Sequence, residues 1–281
     1  MLRSFSILLF LGLCLGCASA QTPFVLASTP AEPGLPWLAP AALEGPSSSD
    51  IAVTALPLTN GFELPRMAPD LALQAYEKRV EQQNAQLASY SVSTVIHAEL
   101  PDTSQSGEYE LERHYVAPRT LQFKAIRFTG DNFVKTNVIA RLLQSEVDHL
   151  QKDDLGATAL SPVNYKFSYK GTNDIEGRVV HVFQVKPRKK RAGLFKGRIY
   201  LDAYTGSLAR VEGNVVKSPS FFVKRVDFVQ EYSDIDGFTL PTHVHSEARA
   251  RIVGRAVVDI YQRDYQPVAS STQARQQVPT L

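Results

Sequence analysis

His243 and His245 are the residues of this 281-residue chain whose spacing comes nearest to metal chemistry. On a strand, positions i and i+2 share a face, so the two imidazoles could grip a zinc-like ion with Asp259 or Glu247 as a third ligand. No cysteine and no further histidine is grouped with them in sequence, so no metal and no other cofactor is expected. Asp234 and Asp236 look like a pair of acids, but Asp-x-Asp-Gly ahead of a strand is ordinary turn chemistry. There is no Gly-x-Ser-x-Gly elbow, no phosphate-cradling glycine loop and no His-Glu-x-x-His pair. No catalytic residue is therefore expected, and the chain reads as a binding protein rather than an enzyme.

The other chemistry is electrostatic. Arg188, Lys189, Lys190 and Arg191, followed by Lys196, form the densest charge cluster. Such a cluster could meet lipid phosphates at an anionic membrane surface, at about 1 kcal/mol per basic residue. The plain alternative is a solvated hairpin tip whose repulsion discourages edge pairing. Gly193-Leu194-Phe195 beside it would add an apolar tip suited to an interface. Phe221 and Phe222, set at a turn, could touch lipid or guard a cavity mouth; more often such residues simply begin a buried strand. Net charge is +2, too balanced for a nucleic-acid partner, which needs a concentrated basic footprint.

The elements that must position these groups follow from periodicity. Pro69 to Ala88 is an amphipathic helix, with Leu73, Tyr76, Val80 and Leu87 at helical spacing and proline in its first turn. The period then switches to two: Val92, Ile96 and Leu100, then Tyr109, Leu111 and Tyr115, then Leu121 and Phe123 alternate with polar residues, giving three antiparallel strands with one wet face. A second helix is expected over Asn137–Lys152, capped by Thr136 or Asn137. Strands resume at Tyr165 and continue in short-turn succession to Tyr265. Val179–Lys186 is apolar on both faces at its start, which places it centrally in the sheet. About ten strands and two helices make one large, curled antiparallel sheet with helices on its concave face.

The termini read differently. Met1 to Ala20 has a basic start, a short apolar run and an Ala-x-Ala end, the pattern of a secretory signal peptide cleaved after Ala20. Lipid attachment at Cys17 is the competing reading, and the only other cysteine is Cys14. Residues 21–68 are rich in Pro, Ala and Ser and read as a flexible leader. Residues 69–266 read as the folded domain, with about 200 residues to bury a core, and 267–281 as a polar, disordered tail.

Two phrases then carry a resemblance. Lys196-Gly-Arg-Ile-Tyr-Leu-Asp-Ala-Tyr-Thr-Gly-Ser-Leu-Ala-Arg-Val-Glu-Gly213 looks like the paired strands of the LolA-like superfamily. Val226-Asp-Phe-Val-Gln-Glu-Tyr-Ser-Asp-Ile-Asp-Gly-Phe-Thr-Leu-Pro241 resembles the segment that follows in outer-membrane lipoprotein-sorting proteins. The resemblance implies a half-open antiparallel β-barrel of ten to eleven strands with lid helices and an apolar cavity for acyl chains. Tyr109, Phe123, Phe167, Phe183, Ile199, Leu201 and Phe228 would face that cavity; the alternative is that they fill a solid core. The expected function is a periplasmic carrier of lipid or lipoprotein acyl chains. The alternative is an envelope sensor, in the manner of the RseB-type members, that regulates a protein partner.

Overall fold

The computed structural model describes residues 65–151, 155–217, 223–251 and 254–270. The signal-like start, the leader as far as residue 64, Phe221, Phe222 and the tail from residue 271 lie outside the described residues. Strands β1 (Leu87–Leu100), β2 (Gln105–Val116), β3 (Thr120–Gly130), β4 (Tyr165–Ile175), β5 (Arg178–Pro187), β6 (Phe195–Asp202), β7 (Leu208–Val215), β8 (Val223–Ile235), β9 (Phe238–Ala250) and β10 (Gly254–Ala269) form one sheet. Its order is β3-β2-β1-β10-β9-β8-β7-β6-β5-β4, with every pair antiparallel. Two meanders, β1–β3 and β4–β10, are welded by the long β1–β10 pairing. Among the described residues β3 and β4 have no neighbour on their outer sides, so the sheet does not close into a barrel.

This order corrects the placement of Val179–Lys186. Strand β5 is next to the edge, and the middle of the sheet is β10–β9. Its two-sided apolar pattern has a local cause. Phe183 and Val185 join the main core, while Val180, with Val182, joins Tyr200 and Ala209 in a small cluster on the opposite face.

Helix α1 (Pro69–Gln86) enters through proline in its first turn. Ala72 and Tyr76 are its buried residues. It is strapped to two turns at one end of the sheet. The Met67 amide donates to Ala203 O at 2.8 Å, and Gly206 (φ +69°) lies so close beneath Ala75 that an added Cβ would sit 2.6 Å from that side chain. Farther along, Arg79 pairs with Asp234 at 2.9 Å, and Gln83 exchanges two hydrogen bonds with the Thr239 backbone at the β8–β9 turn.

The second helical segment starts earlier than its periodicity indicates. Helix α2 (Asn132–Val134) passes through a π turn (Lys135–Ile139) into α3 (Ala140–Gln151). Thr136 and Asn137, the expected caps, lie inside that π turn. The start is fixed instead by Asp131, whose amide donates to Ser106 O and whose carboxylate accepts from Ser106 N, both within 2.9 Å.

Both helices lie on the same face. Val244 on β9, in the core under α3, is the register partner of Gln230, and Gln230 shares its strand face with Phe228 in the core under α1. Under α3 the core is built from Val138, Leu142, Ile96, Leu111, Val258 and Ile260. Under α1 it is built from Tyr76, Phe183, Ile199, Val211 and Phe228. Burying each such side chain contributes about 1.5–3 kcal/mol, which is what holds short helices to a long sheet.

One contact is unusually close. Gly197 and Gly213 are register partners on β6 and β7. A Cβ on Gly197 would overlap the Glu212 carbonyl oxygen and lie 2.6 Å from Gly213 Cα. A Cβ on Gly213 would lie 3.0 Å from Gly197 Cα. The two backbones are pressed together where no side chain fits.

Candidate functional site

Apart from His181 on β5, the buried polar residues of the inner face fall in one band that crosses its middle strands. Arg113 interrupts the Leu111–Tyr115 register on β2, and Thr94 interrupts Val92–Ile96 on β1. Gln262 follows Val258 and Ile260 on β10, Ser246 lies between Val244 and Ala248 on β9, and Gln230 and Tyr232 follow Phe228 on β8. All six are buried. Thr94 and Gln262 are direct cross-strand partners, 1% and 2% exposed.

Several of these groups have nothing to bond. Thr94 Oγ1, both amide atoms of Gln262 and the Tyr232 hydroxyl find no hydrogen-bond partner among the described residues. Each such buried orphan costs about 1–3 kcal/mol, so four atoms of this kind on one face are expensive for a structure that gains nothing from them.

At one end of the band Arg113 meets Glu146 of α3, with Nη2 2.9 Å from Oε2. Both are almost fully buried, and the N–H vectors miss the carboxylate, so charge attraction rather than an aligned hydrogen bond joins them. Burial pushes the Glu146 carboxyl above its ordinary range, with Arg113 opposing. Burial lowers Arg113, but Glu146 and two tyrosines outweigh it and hold the guanidinium above its usual value. A bare buried cation would cost far more than the pair, which is why Arg113 is buried against a carboxyl group. The Arg113 guanidinium also lies 5.4 Å from the Phe123 ring centre.

Tyrosines continue the band. Tyr90 stacks on Tyr115 at 5.2 Å and tilts against Tyr265 at 5.5 Å. Burial pushes the Tyr90 hydroxyl up to about 12, with Arg113 opposing. Burial also raises Tyr232 and Tyr265 well above their usual value. Tyr265 donates to Pro241 O at 2.6 Å; Tyr232 does not find such an acceptor among the described residues. The phenols are all neutral donors at physiological pH.

The residues expected to line a cavity divide between the two cores. Tyr109 and Phe123 are partly buried against the core under α3, while Phe167, Phe183, Ile199, Leu201 and Phe228 belong to the core under α1. The polar band adjoins both cores, and an alternation read for apolar residues alone passes over it. The signal that finds it is a polar residue at an apolar beat of the alternation, repeated on five neighbouring strands.

The basic turn is exposed at Arg188, Lys189, Lys190, Arg191 and Lys196. Arg188 is tied down, its Nε donating to Pro162 O at 2.8 Å. Leu194 and Phe195 do not form an apolar tip: they are 2% and 1% exposed, because the strand turns inward at once and Phe195 packs edge-on to Phe228 at 5.3 Å.

On the opposite face the histidine pair does meet Asp259. His245 Nδ1 and His243 Nε2 both contact Asp259 Oδ1, at 2.8 Å and 3.3 Å. His243 stacks on Tyr261 at 4.6 Å, and Glu247 turns away to Arg255. Among the described residues no group of three or more His, Cys, Asp or Glu side chains is placed to hold a metal ion.

Comparison with known proteins adds a family. Residues 122–266, just over half of the 281, match the profile of a family of unknown function, DUF5686. The chain belongs to the DUF5686 family. The matched stretch runs from β3 to β10 and so contains α3 with Glu146, and Gln230, Tyr232, Ser246 and Gln262, but not Arg113 or Thr94. No curated protein matches this DUF5686 chain. Solved structures similar to it include a LolA superfamily protein from Nitrosomonas europaea, at 11% identity over 71% of this chain and 93% of that one, with a TM-score of 0.34. A putative outer membrane lipoprotein-sorting protein domain from Vibrio parahaemolyticus follows at 11% identity, 70% and 92% coverage and TM-score 0.34. A DUF1329 family protein from Desulfovibrio piger is similar at 10% identity, 70% and 92% coverage and TM-score 0.36. The LolA superfamily is thus among the likenesses, as the two sequence phrases anticipate, and no property of those proteins is carried over from such scores.

Proposed function

We propose that this chain is an envelope binding protein that shelters the acyl chain of a lipid or lipoprotein between its half-open sheet and the helices over the inner face. The observation that carries this is the band of buried, unbonded polar atoms set in an apolar face. A face meant only as a core has no use for orphans at Thr94, Gln262 and Tyr232, whereas a face that receives an amphiphile needs both apolar walls and a few polar contacts. The signal-like start would take the protein across the inner membrane. Each methylene withdrawn from water would contribute about 0.8 kcal/mol, and the exposed Lys189 and Lys190 would meet anionic headgroups during transfer.

The test is direct. Purified mature protein from a membrane-containing host is extracted and the extract examined by mass spectrometry. A stoichiometric acyl lipid is expected; an empty extract together with no uptake of a fluorescent acyl probe refutes the carrier. Lys189→Ser/Lys190→Ser should weaken sedimentation with anionic liposomes several-fold, and unchanged sedimentation removes the headgroup role. A second reading has its own observation. Among the described residues β3 and β4 have no neighbour on their outer sides, so a partner protein could add a strand there. A sensor of that kind would pull down an envelope protein and give an empty lipid extract.

A further inference from the structure

The polar band holds more information than that a ligand enters. We infer that it is the binding site for an uncharged, hydrogen-bonding head, the ester and hydroxyl groups of an acylglycerol, and that it rejects a carboxylate. This rests on the proposal that the inner face takes an acyl chain, and it adds which amphiphile.

The first argument is the inventory of unused bonds. Gln262 offers two N–H donors and one carbonyl acceptor, Thr94 a hydroxyl that can do either, and Tyr232 a phenol; beside them Arg113 Nε and Nη2 and both Glu146 oxygens also lack an aligned hydrogen bond, donors and acceptors in one pair. The set contains both senses of hydrogen bond. A carboxylate can only accept, and would leave the Gln262 carbonyl facing another acceptor. A glycerol ester brings carbonyl acceptors and hydroxyl donors together, and matches the set.

The second argument is charge. Arg113 and Glu146 are the charged residues among the buried groups of the band, and they neutralise each other at 2.9 Å. The tyrosines around them, Tyr90, Tyr232 and Tyr265, are neutral, each held so by burial. A second carboxylate brought here would find the charge of Arg113 already balanced and would face Glu146. In a site this dry an unpaired anion is rejected, whereas a neutral ester loses only water that the orphans replace.

The third argument is placement. Thr94 and Gln262 are register partners, and two residues away in the same direction the fully buried Ile96 and Ile260 are register partners in turn. On β8 Tyr232 is buried in the same core as Phe228. Polar contacts sit at one level and apolar wall continues from them, the layout a head followed by a chain requires.

The experiment uses delipidated mature protein and competition against a fluorescent acyl probe. The competitors are 1-monooleoylglycerol and oleate, at a pH where oleate is ionised in solution. Monooleoylglycerol should bind at least about tenfold more tightly, equivalent to about 1.4 kcal/mol. Gln262→Leu and Thr94→Val should each shrink that ratio to about threefold or less by weakening monooleoylglycerol alone. Thr94→Val is isosteric, and circular dichroism confirms that both variants fold. Equal binding of the two competitors, or tighter binding of oleate, overturns the head-group assignment while leaving the carrier standing. Equal loss of both competitors in the variants also overturns it. If neither competitor displaces the probe and the probe itself does not bind, the carrier proposal falls and takes this one with it.

Discussion

Replacing Gln262 by leucine should make the empty protein more stable, although it removes a polar residue at the centre of the sheet. Both amide atoms of Gln262 are buried without partners, and the residue is 2% exposed. Each orphan costs about 1–3 kcal/mol. Leucine has a similar volume, so removing two orphans with little change in packing should give a net gain of about 2 kcal/mol. For a domain of this size that is about 4–8 °C in Tm. The assay is urea unfolding of delipidated protein followed by circular dichroism, where the midpoint should rise with an unchanged slope. Added monooleoylglycerol should then stabilise the wild type more than the variant, through linkage to binding. A variant destabilised by more than about 1 kcal/mol would show that the amide is satisfied in the empty protein, and the reasoning from orphaned atoms would fail.

Arg113→Met should cost about 3–5 kcal/mol, because it leaves Glu146 buried without its cation; adding Glu146→Leu should restore most of the loss in the same urea assay. Asp202 gives a pH prediction. Burial raises its carboxyl, but the Arg178 guanidinium at 2.6 Å and the amides of Tyr204 and Thr205 outweigh this and hold it below its ordinary value. The ionised form therefore stabilises the fold above about pH 4 and loses its advantage as pH falls through the depressed value. Asp202→Asn should cost about 1.5–3 kcal/mol at neutral pH, and the difference from wild type should vanish in acid. Gly197→Ala should be among the most damaging single changes, with a Tm fall well beyond that of Gly156→Ala, because its methyl meets Glu212 backbone while Gly156 faces open space.

The strands were legible because water and core alternate along them. The runs Val92–Leu100 and Val179–Lys186 fall inside β1 and β5, and α1 starts at the proline that periodicity picks out. Position within the sheet was not legible. An apolar beat on both faces of β5 looks like centrality, but it reports a small outer cluster at Val180 and Tyr200, which depends on which strands end up adjacent. Leu194 and Phe195 misled for a related reason: next to four cations they look like a tip, and only the register of β6 with β7 turns Phe195 inward. The π turn hid the true start of the second helix, since Asn132–Ile139 does not keep a 3.6-residue stripe. The polar band lay open in the sequence as Arg113, Thr94 and Gln262 on apolar beats. Only the sheet order, which brings β2, β1 and β10 side by side, turns three separate irregularities into one site.

The Gly197–Gly213 contact also limits what this part of the sheet can tolerate. At this seam two chains touch with no side chain between them, so each glycine excludes any larger residue at the position facing it. A side chain at either one must push β6 and β7 apart, and with them the core pair Ile199 and Val211, which face each other two positions along.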